Sequence, residues 1–215
     1  MPPSARSRVK RIPDRARYDR ETAYAILDEA PICHVSFVAD GQPFVIPTLH
    51  ARLGDELVLH GAKASRMLKH AAGGFPLCVA ATLVDGIVLA RSVFHHSMNY
   101  RSVVLFGTGR LVESDSEKLE ALKAISDHLA PGRWNDARQP NAKEMAATSV
   151  IVMTIEDATA KIRTGGPSDD EEDYALPVWA GLLPFRTVRG PLEPDPKRHG
   201  DVPAPAYLLD LETRP

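Results

Sequence analysis

Apolar positions along residues 19–165 recur with two periods. A helical period marks 21–30, where Ala23, Ile26 and Leu27 share a stripe behind a capping Asp19 and ahead of Pro31. A period of two follows. Residues 32–38, the turn pair Asp40-Gly41, a run at 44–53, the turn pair Gly54-Asp55 and a run at 56–60 predict consecutive antiparallel strands. Pro47 has no N–H for a ladder, so its strand runs along a sheet edge or is interrupted there. Helical spacing returns at 64–72 through Ala64, Leu68, Ala71 and Ala72, and stops at Gly73-Gly74.

Strand character resumes at 77–84, turns at Asp85-Gly86, continues through 87–92 and is longest at 100–112. Gly107 and Gly109 lie two apart on one face of that strand and permit a tight bend or a close approach. Ser114 to Glu117 forms a capping box for a helix carrying Leu119, Leu122, Ile125 and Leu129, closed by Pro131-Gly132. Asn141 to Glu144 caps a shorter helix, and 149–155 and 159–164 read as closing strands. About seven strands with two or three peripheral helices, not in strict alternation, predict a small, mainly antiparallel α+β barrel.

Charge divides the 215 residues into three parts: a basic arm at 1–18, a barrel domain at 19–165 and an extension at 166–215. Residues 1–20 carry seven of the 26 basic side chains against Asp14 and Asp19, while 166–215 carry ten acids against five bases and half of the 18 prolines. The basic arm lacks a recognition helix or an aromatic platform beside it, so it predicts a loose terminus or a clasp on a partner subunit rather than nucleic-acid binding. The acidic, Pro-rich extension can bury little apolar surface unless it lies on something else. The longest apolar runs, near 103–106 and 150–153, fall short of the ~20 residues of a membrane helix. Cys33 and Cys78 sit in apolar stretches and no signal-type segment opens the sequence, which predicts a reducing cytoplasm.

Several chemistries are excluded by missing motifs. Gly107-Thr108-Gly109 lacks the third glycine of a dinucleotide fingerprint, and no Walker loop, GxSxG elbow, HExxH or CxxC occurs. His95-His96 point to opposite faces of an extended chain, so no metal site is expected. The junction at His60-Gly61-Ala62-Lys63-Ala64-Ser65-Arg66 is more informative. A strand ends at a glycine and a helix begins, so backbone N–H groups, the Ser65 hydroxyl, Lys63 and Arg66 converge as a cradle for a phosphate. Pro47 in its apolar strand leaves backbone groups that a flat heterocycle could use, or protects an edge from aggregation. Asn99 to Ser102, polar and cationic, open the longest strand and can face a ligand or solvate a sheet edge.

Three stretches in this order, FVIPTLHARLGDELVLHGAKASRMLKHA, NYRSVVLFGTGRLVES and DYALPVWAGLLPF, resemble the pyridoxamine 5′-phosphate oxidase-like flavin-binding split barrels. Within them the chain is most similar to the nitroimidazole-resistance-type flavin-nucleotide-binding branch, over about residues 18–185. The resemblance implies a six-stranded antiparallel split β-barrel and a homodimer with one FMN, or FAD, per subunit in the groove between chains. It implies that Pro47, Thr48 and Leu49 run along the isoalloxazine, and that His60, Gly61 and Ala62 line the path to a phosphate held by Lys63, Ser65 and Arg66. Asn99, Tyr100, Arg101 and Ser102 are expected near the flavin or across the dimer seam, and Trp179 over the groove. The C-terminal arginine signature of true pyridoxamine phosphate oxidases has no convincing match in the final residues 211–215, which speaks against that substrate.

The function implied is an FMN-dependent oxidoreductase that passes electrons from a reduced nicotinamide or another small donor to an acceptor such as a nitroaromatic or quinone. The cofactor carries that chemistry, and His60 is the candidate proton donor. Two alternatives stand beside it: a non-catalytic flavin carrier or sensor, and a split barrel that binds deazaflavin or haem, for which His34 and His95 are the nominal axial residues.

Overall fold

The computed structural model describes residues 3–197, 200 and 202–213; Arg214 and Pro215 of the C-terminal sequence lie outside them. Nine strands join in one antiparallel sheet: β1 (Ala16–Arg17), β2 (Cys33–Ala39), β3 (Gln42–Thr48), β4 (Ala51–Leu53), β5 (Glu56–Ala62), β6 (Pro76–Leu89), β7 (Ser97–Leu111), β8 (Thr148–Arg163) and β9 (Gly181–Pro184). The main path runs β3-β2-β6-β7-β8-β5-β4, with β1 added on β8 and β9 on β6. The class is the mainly antiparallel one expected from periodicity. The strand count exceeds six because the short β1, β4 and β9 add to the long strands.

Helices α1 (Arg20–Glu29), α2 (Arg66–Ala72), α3 (Asp115–Leu129), α4 (Arg133–Asp136), α5 (Ala142–Ala147) and α6 (Ala206–Thr213) lie around the sheet. Asp19 caps α1 by accepting from the Thr22 N–H, and Ala23, Ile26 and Leu27 are its buried stripe. Asn141 and Glu144 form a reciprocal capping box on α5.

Two cores share the middle strands. Leu57 and Leu59 of β5 and Ile151 and Met153 of β8 pack into the cluster beneath α1 and α2. The alternate residues Val58, Val150 and Val152 pack into a second cluster with Ala121 and Ile125 of α3. Both faces of these strands are buried, which is why 150–153 reads as a continuous apolar run rather than an alternating one.

Two predicted turns are absent. Asp85-Gly86 lies inside β6, where the register against β7 shifts between Val84 and Gly86 instead of reversing. A Cβ on Gly86 would lie 2.7 Å from the Leu183 carbonyl oxygen, so this glycine admits β9 alongside. Residues 149–155 and 159–164 are one strand, β8, bulged where Phe106 pairs with Asp157 but Gly107 pairs with Ile155. Conversely, 44–53 divides into β3 and β4 around Leu49 and His50.

The basic arm folds back on its own chain at that bulge. The Ser4 hydroxyl donates to Asp157 at 2.9 Å, and Arg6 donates to Asp157 at 2.7 Å and to Glu156 at 2.8 Å. These contacts replace the loose terminus expected of the arm, because carboxylates at the bulge supply its counter-charge.

Candidate functional site

The β5–α2 junction brings the predicted cradle together, with a changed balance of donors. The Lys63 N–H donates to the Ala147 carbonyl at 3.2 Å and the Ser65 N–H to the Ala62 carbonyl at 2.9 Å, so neither amide is free for an anion. Ser65 is the N-cap of α2, its hydroxyl oxygen accepting from the Leu68 N–H at 3.5 Å. Helix α2 has only seven residues, and its summed dipole is correspondingly small. What the junction leaves open to an anion is chiefly the side chains of Lys63 and Arg66, both exposed and without an ion pair among the described residues. A Cβ on Gly61 would meet Leu68 at 3.2 Å, so the glycine lets α2 pack closely on the end of β5.

Pro47 and Thr48 end β3, opposite His34 and Cys33 of β2. β3 is the terminal strand of the main sheet path and Pro47 is exposed, so a missing N–H costs no ladder bond on that outer edge. Leu49 follows and packs on the second core. Next to it, His50 is fully buried, with Nε2 2.9 Å from the Leu27 carbonyl and its ring 4.8 Å from that of His128.

His60 is half-buried on β5, opposite Val150 of β8, and its Nδ1 is shielded from solvent without a hydrogen bond. Burial pushes its imidazole below the usual value of 6.5, and burial likewise lowers His50. Both rings are neutral in the native protein at pH 7. The unfolded chain protonates them near 6.5, so it binds more protons as pH falls and the native state loses stability there. Melting temperature is expected to be level above about pH 6.5 and to decline below it, before ordinary carboxylates titrate. A His60→Gln variant should show a shallower decline in a pH series of thermal melts; an unchanged slope would remove His60 from the effect.

Asn99, Tyr100, Arg101 and Ser102 stand elsewhere in the chain. Tyr100 pairs with Arg163 and Arg101 with Ile162 at one end of β8, whereas Gly61 and Ala62 pair with Ser149 and Thr148 at the other. The two groups are separated by ~40 Å of strand contour. Arg101 is fully engaged: its guanidinium binds Glu29 and, at 2.9 Å, Asp85. The Glu29 and Asp85 carboxylates hold its pKa above the usual arginine value. Asn99 accepts from Arg163 and donates to the Gly165 carbonyl at 3.1 Å, and Ser102 donates to the Lys161 carbonyl at 3.2 Å. Trp179 is 68% exposed and its ring lies against Gly181, where a Cβ would meet it at 2.8 Å.

Of the two nominal haem residues, His34 is exposed on β2, and His95 lies 3.3 Å from Asp170. His95, Asp170 and Asp173 form the one group with ligand-like spacing among the described residues.

One feature escaped the periodicity. A cleft of about 570 Å³ opens beside α2, walled by Phe37, Phe44, Phe75 and Phe106 and reached by His70 and Arg6. The Phe37 and Phe44 rings stack at 5.4 Å because β2 and β3 pair them directly. Arg66, one helical turn before His70, lays its guanidinium 4.4 Å over the Phe44 ring. The signal available in sequence was the tight Asp40-Gly41 turn, which fixes that cross-strand pair.

A family model described as pyridoxamine 5′-phosphate oxidase matches residues 19–162. Among solved structures, the flavocytochrome Anf3 from Azotobacter vinelandii is 45% identical, with 97% of each chain covered and a TM-score of 0.91. An FAD and heme binding protein from Mycobacterium smegmatis is 36% identical, covering 92% of this chain and 97% of its own, with a TM-score of 0.87. A proposed 5-nitroimidazole antibiotic resistance protein from Bacteroides thetaiotaomicron shares the fold at 22% identity and a TM-score of 0.57, covering 68% of this chain and 86% of its own. No curated protein matches the chain.

Proposed function

Because this chain belongs to the pyridoxamine 5′-phosphate oxidase family, we propose that it binds a flavin nucleotide at the β5–α2 junction, carries haem as a second cofactor and acts as an oxidoreductase. The observation that carries this reading is the near end-to-end likeness, at 45% identity, to a flavocytochrome. FAD is favoured over FMN, since the second full-length relative is named for FAD and heme. The family's description does not by itself name the substrate.

A bound flavin supplies hydride and single-electron chemistry, and a bound haem supplies single-electron chemistry. The chain supplies position and electrostatics. Lys63 and Arg66 hold phosphate by charge-assisted hydrogen bonds. The unpaired outer edge of β3 at Pro47 and Thr48, with Leu49 just after it, offers backbone groups to a polar ring edge. His60, neutral and half-buried at the end of β5, is the group that can donate or accept a proton beside it.

The reading includes a homodimer. Asn99 to Ser102 and Trp179 reach a flavin bound at the cradle only from a second copy. Exposed Val93 (81%), Phe94 (89%) and Trp179 (68%) supply apolar surface of the kind a subunit contact covers. No helix among the described residues is long and apolar enough to cross a membrane.

The test is an absorption spectrum of the freshly purified full-length chain, with release and chromatography of its pigments and a sedimentation measurement of its mass. Flavin bands near ~370 and ~450 nm together with a Soret band are expected, with FAD released and a dimeric mass. A colourless chain that takes up neither flavin nor hemin would overturn the proposal. Anaerobic mixing with NADH or NADPH should bleach the flavin; a flavin that stays oxidised with both would make the protein a carrier rather than an oxidoreductase.

A further inference from the structure

We infer that His70 is the axial ligand of the haem, and that the phenylalanine-walled cleft beside α2 is the haem's binding site. The inference rests on the proposed haem content and adds where, and through which atom, the iron is held.

The cleft has the chemistry that a metalloporphyrin needs. It is of ligand size, about 570 Å³, and its walls at Phe37, Phe44, Phe75 and Phe106 are the large apolar side chains that suit a flat apolar macrocycle. Inside it the Nε2 of His70 is shielded from solvent and makes no hydrogen bond. A buried imidazole nitrogen without a partner loses its hydration for nothing in return. Coordination to iron supplies the missing partner: the Nε2 lone pair is donated to the metal, and no proton or electron is transferred.

Phenyl rings on both sides set the imidazole plane. Phe37 lies 4.9 Å from the His70 ring and Phe75 4.8 Å from it. Phe37 is buried in the core and fixed, whereas Phe75 is 54% exposed at the end of the Gly73-Gly74 turn. A Cβ on Gly73 would meet the Phe75 ring at 2.8 Å, and Gly74 has φ +73°, so this turn alone lets the ring fold down over His70. Phe75, the more exposed of the two rings, is therefore the one whose displacement would open the imidazole to the cleft. At the rim, Arg6 stands 5.2 Å over Phe106 while its guanidinium is paired with Glu156 and Asp157.

The other nominal ligands lack this setting. His34 is exposed on its strand and His95 faces Asp170. His70 is also four residues beyond Arg66, so haem and flavin would neighbour one another along one face of α2.

The probe is hemin added to the full-length flavin-loaded chain, with excess removed by gel filtration. The readouts are the Soret spectrum, the low-temperature electron paramagnetic resonance spectrum, flavin content and melting temperature. The wild type is expected to retain hemin with a histidine-type spectrum. His70→Ala should lose hemin retention or its axial signature while keeping its flavin and melting temperature, and added imidazole should restore the signature. Should His70→Ala not fold, His70→Met keeps the volume and is expected to hold hemin with a Soret band and resonance altered by a thioether ligand. If the wild type retains no hemin, the haem reading itself fails and this assignment with it. If the wild type retains hemin and the His70 variants have unchanged spectra, the haem reading stands and the assignment alone is overturned; His34→Ala and His95→Ala made alongside would then locate the true ligand.

Discussion

Gly107→Ala is expected to deprive the chain of its native sheet. A Cβ at this position would lie 2.0 Å from the Thr154 carbonyl oxygen and 3.1 Å from Met153 Cγ. The first obstacle is backbone, so no rotamer change relieves it. The position is also where the β7–β8 register shifts, and the displaced strands would have to part in one of the two longest ladders of the sheet. Costs above ~4–5 kcal/mol belong to this class of strain, comparable with the whole stability of an ordinary domain at ~5–15 kcal/mol. Soluble yield, circular dichroism and thermal melting check it, with Gly166→Ala as a comparison where a Cβ meets open space. A Gly107→Ala protein melting within a few degrees of wild type would show that β7 and β8 can separate locally without loss of the fold.

The largest functional effect is expected from Arg66. The side chain is exposed and makes no ion pair among the described residues, so its removal leaves the cores intact. A charge-assisted hydrogen bond to a phosphate contributes ~1.5–3 kcal/mol, which converts to flavin binding weaker by about ten- to a hundredfold in Arg66→Ala. Arg66→Lys keeps the charge but loses the planar stack on Phe44 and the two-pronged donor set, so it should fall between the two. Fluorescence titration of the stripped protein with FAD and FMN measures each case. Equal affinity in wild type and Arg66→Ala would remove the guanidinium from the cradle and leave Lys63 to hold the phosphate alone.

Local chemistry made most of the fold legible before any coordinates. Asp40-Gly41 illustrates why: both residues have positive φ, 51° and 73°, the conformation that a two-residue hairpin requires and that these residue types accept. Asp85-Gly86 presents the same dipeptide and does not turn, because β9, a hundred residues further on, pairs with β6 there. Glu156 and Asp157 resemble a break between two strands for a similar reason. Their carboxylates are satisfied by Ser4 and Arg6 and, for Glu156, by Thr108 at 2.9 Å. Partners so distant leave no trace in a local window.

The site divides in the same way. Lys63 and Arg66 are legible because their spacing around a strand end is local. The cleft is not, since Phe75 meets His70 only after α2 docks and the Gly73-Gly74 turn closes. Likewise, that Arg101 is bound up with Glu29 and Asp85 depends on α1 crossing the sheet, which no period in 97–111 announces.

Strand β8 has a temporal consequence. It is the shared partner of β1, β5 and β7, yet it occupies residues 148–163. A ribosome adding ~5–20 residues per second needs several seconds to pass from the end of β7 to the end of β8. Throughout that interval the nascent chain holds β5 and β7 with open edges and the apolar residues of both cores uncovered. Chaperone demand during synthesis should therefore concentrate between these two points. Slowing translation there would prolong exposure without permitting earlier closure, whereas slowing it after residue 163 would give the sheet time to seal before the acidic tail emerges.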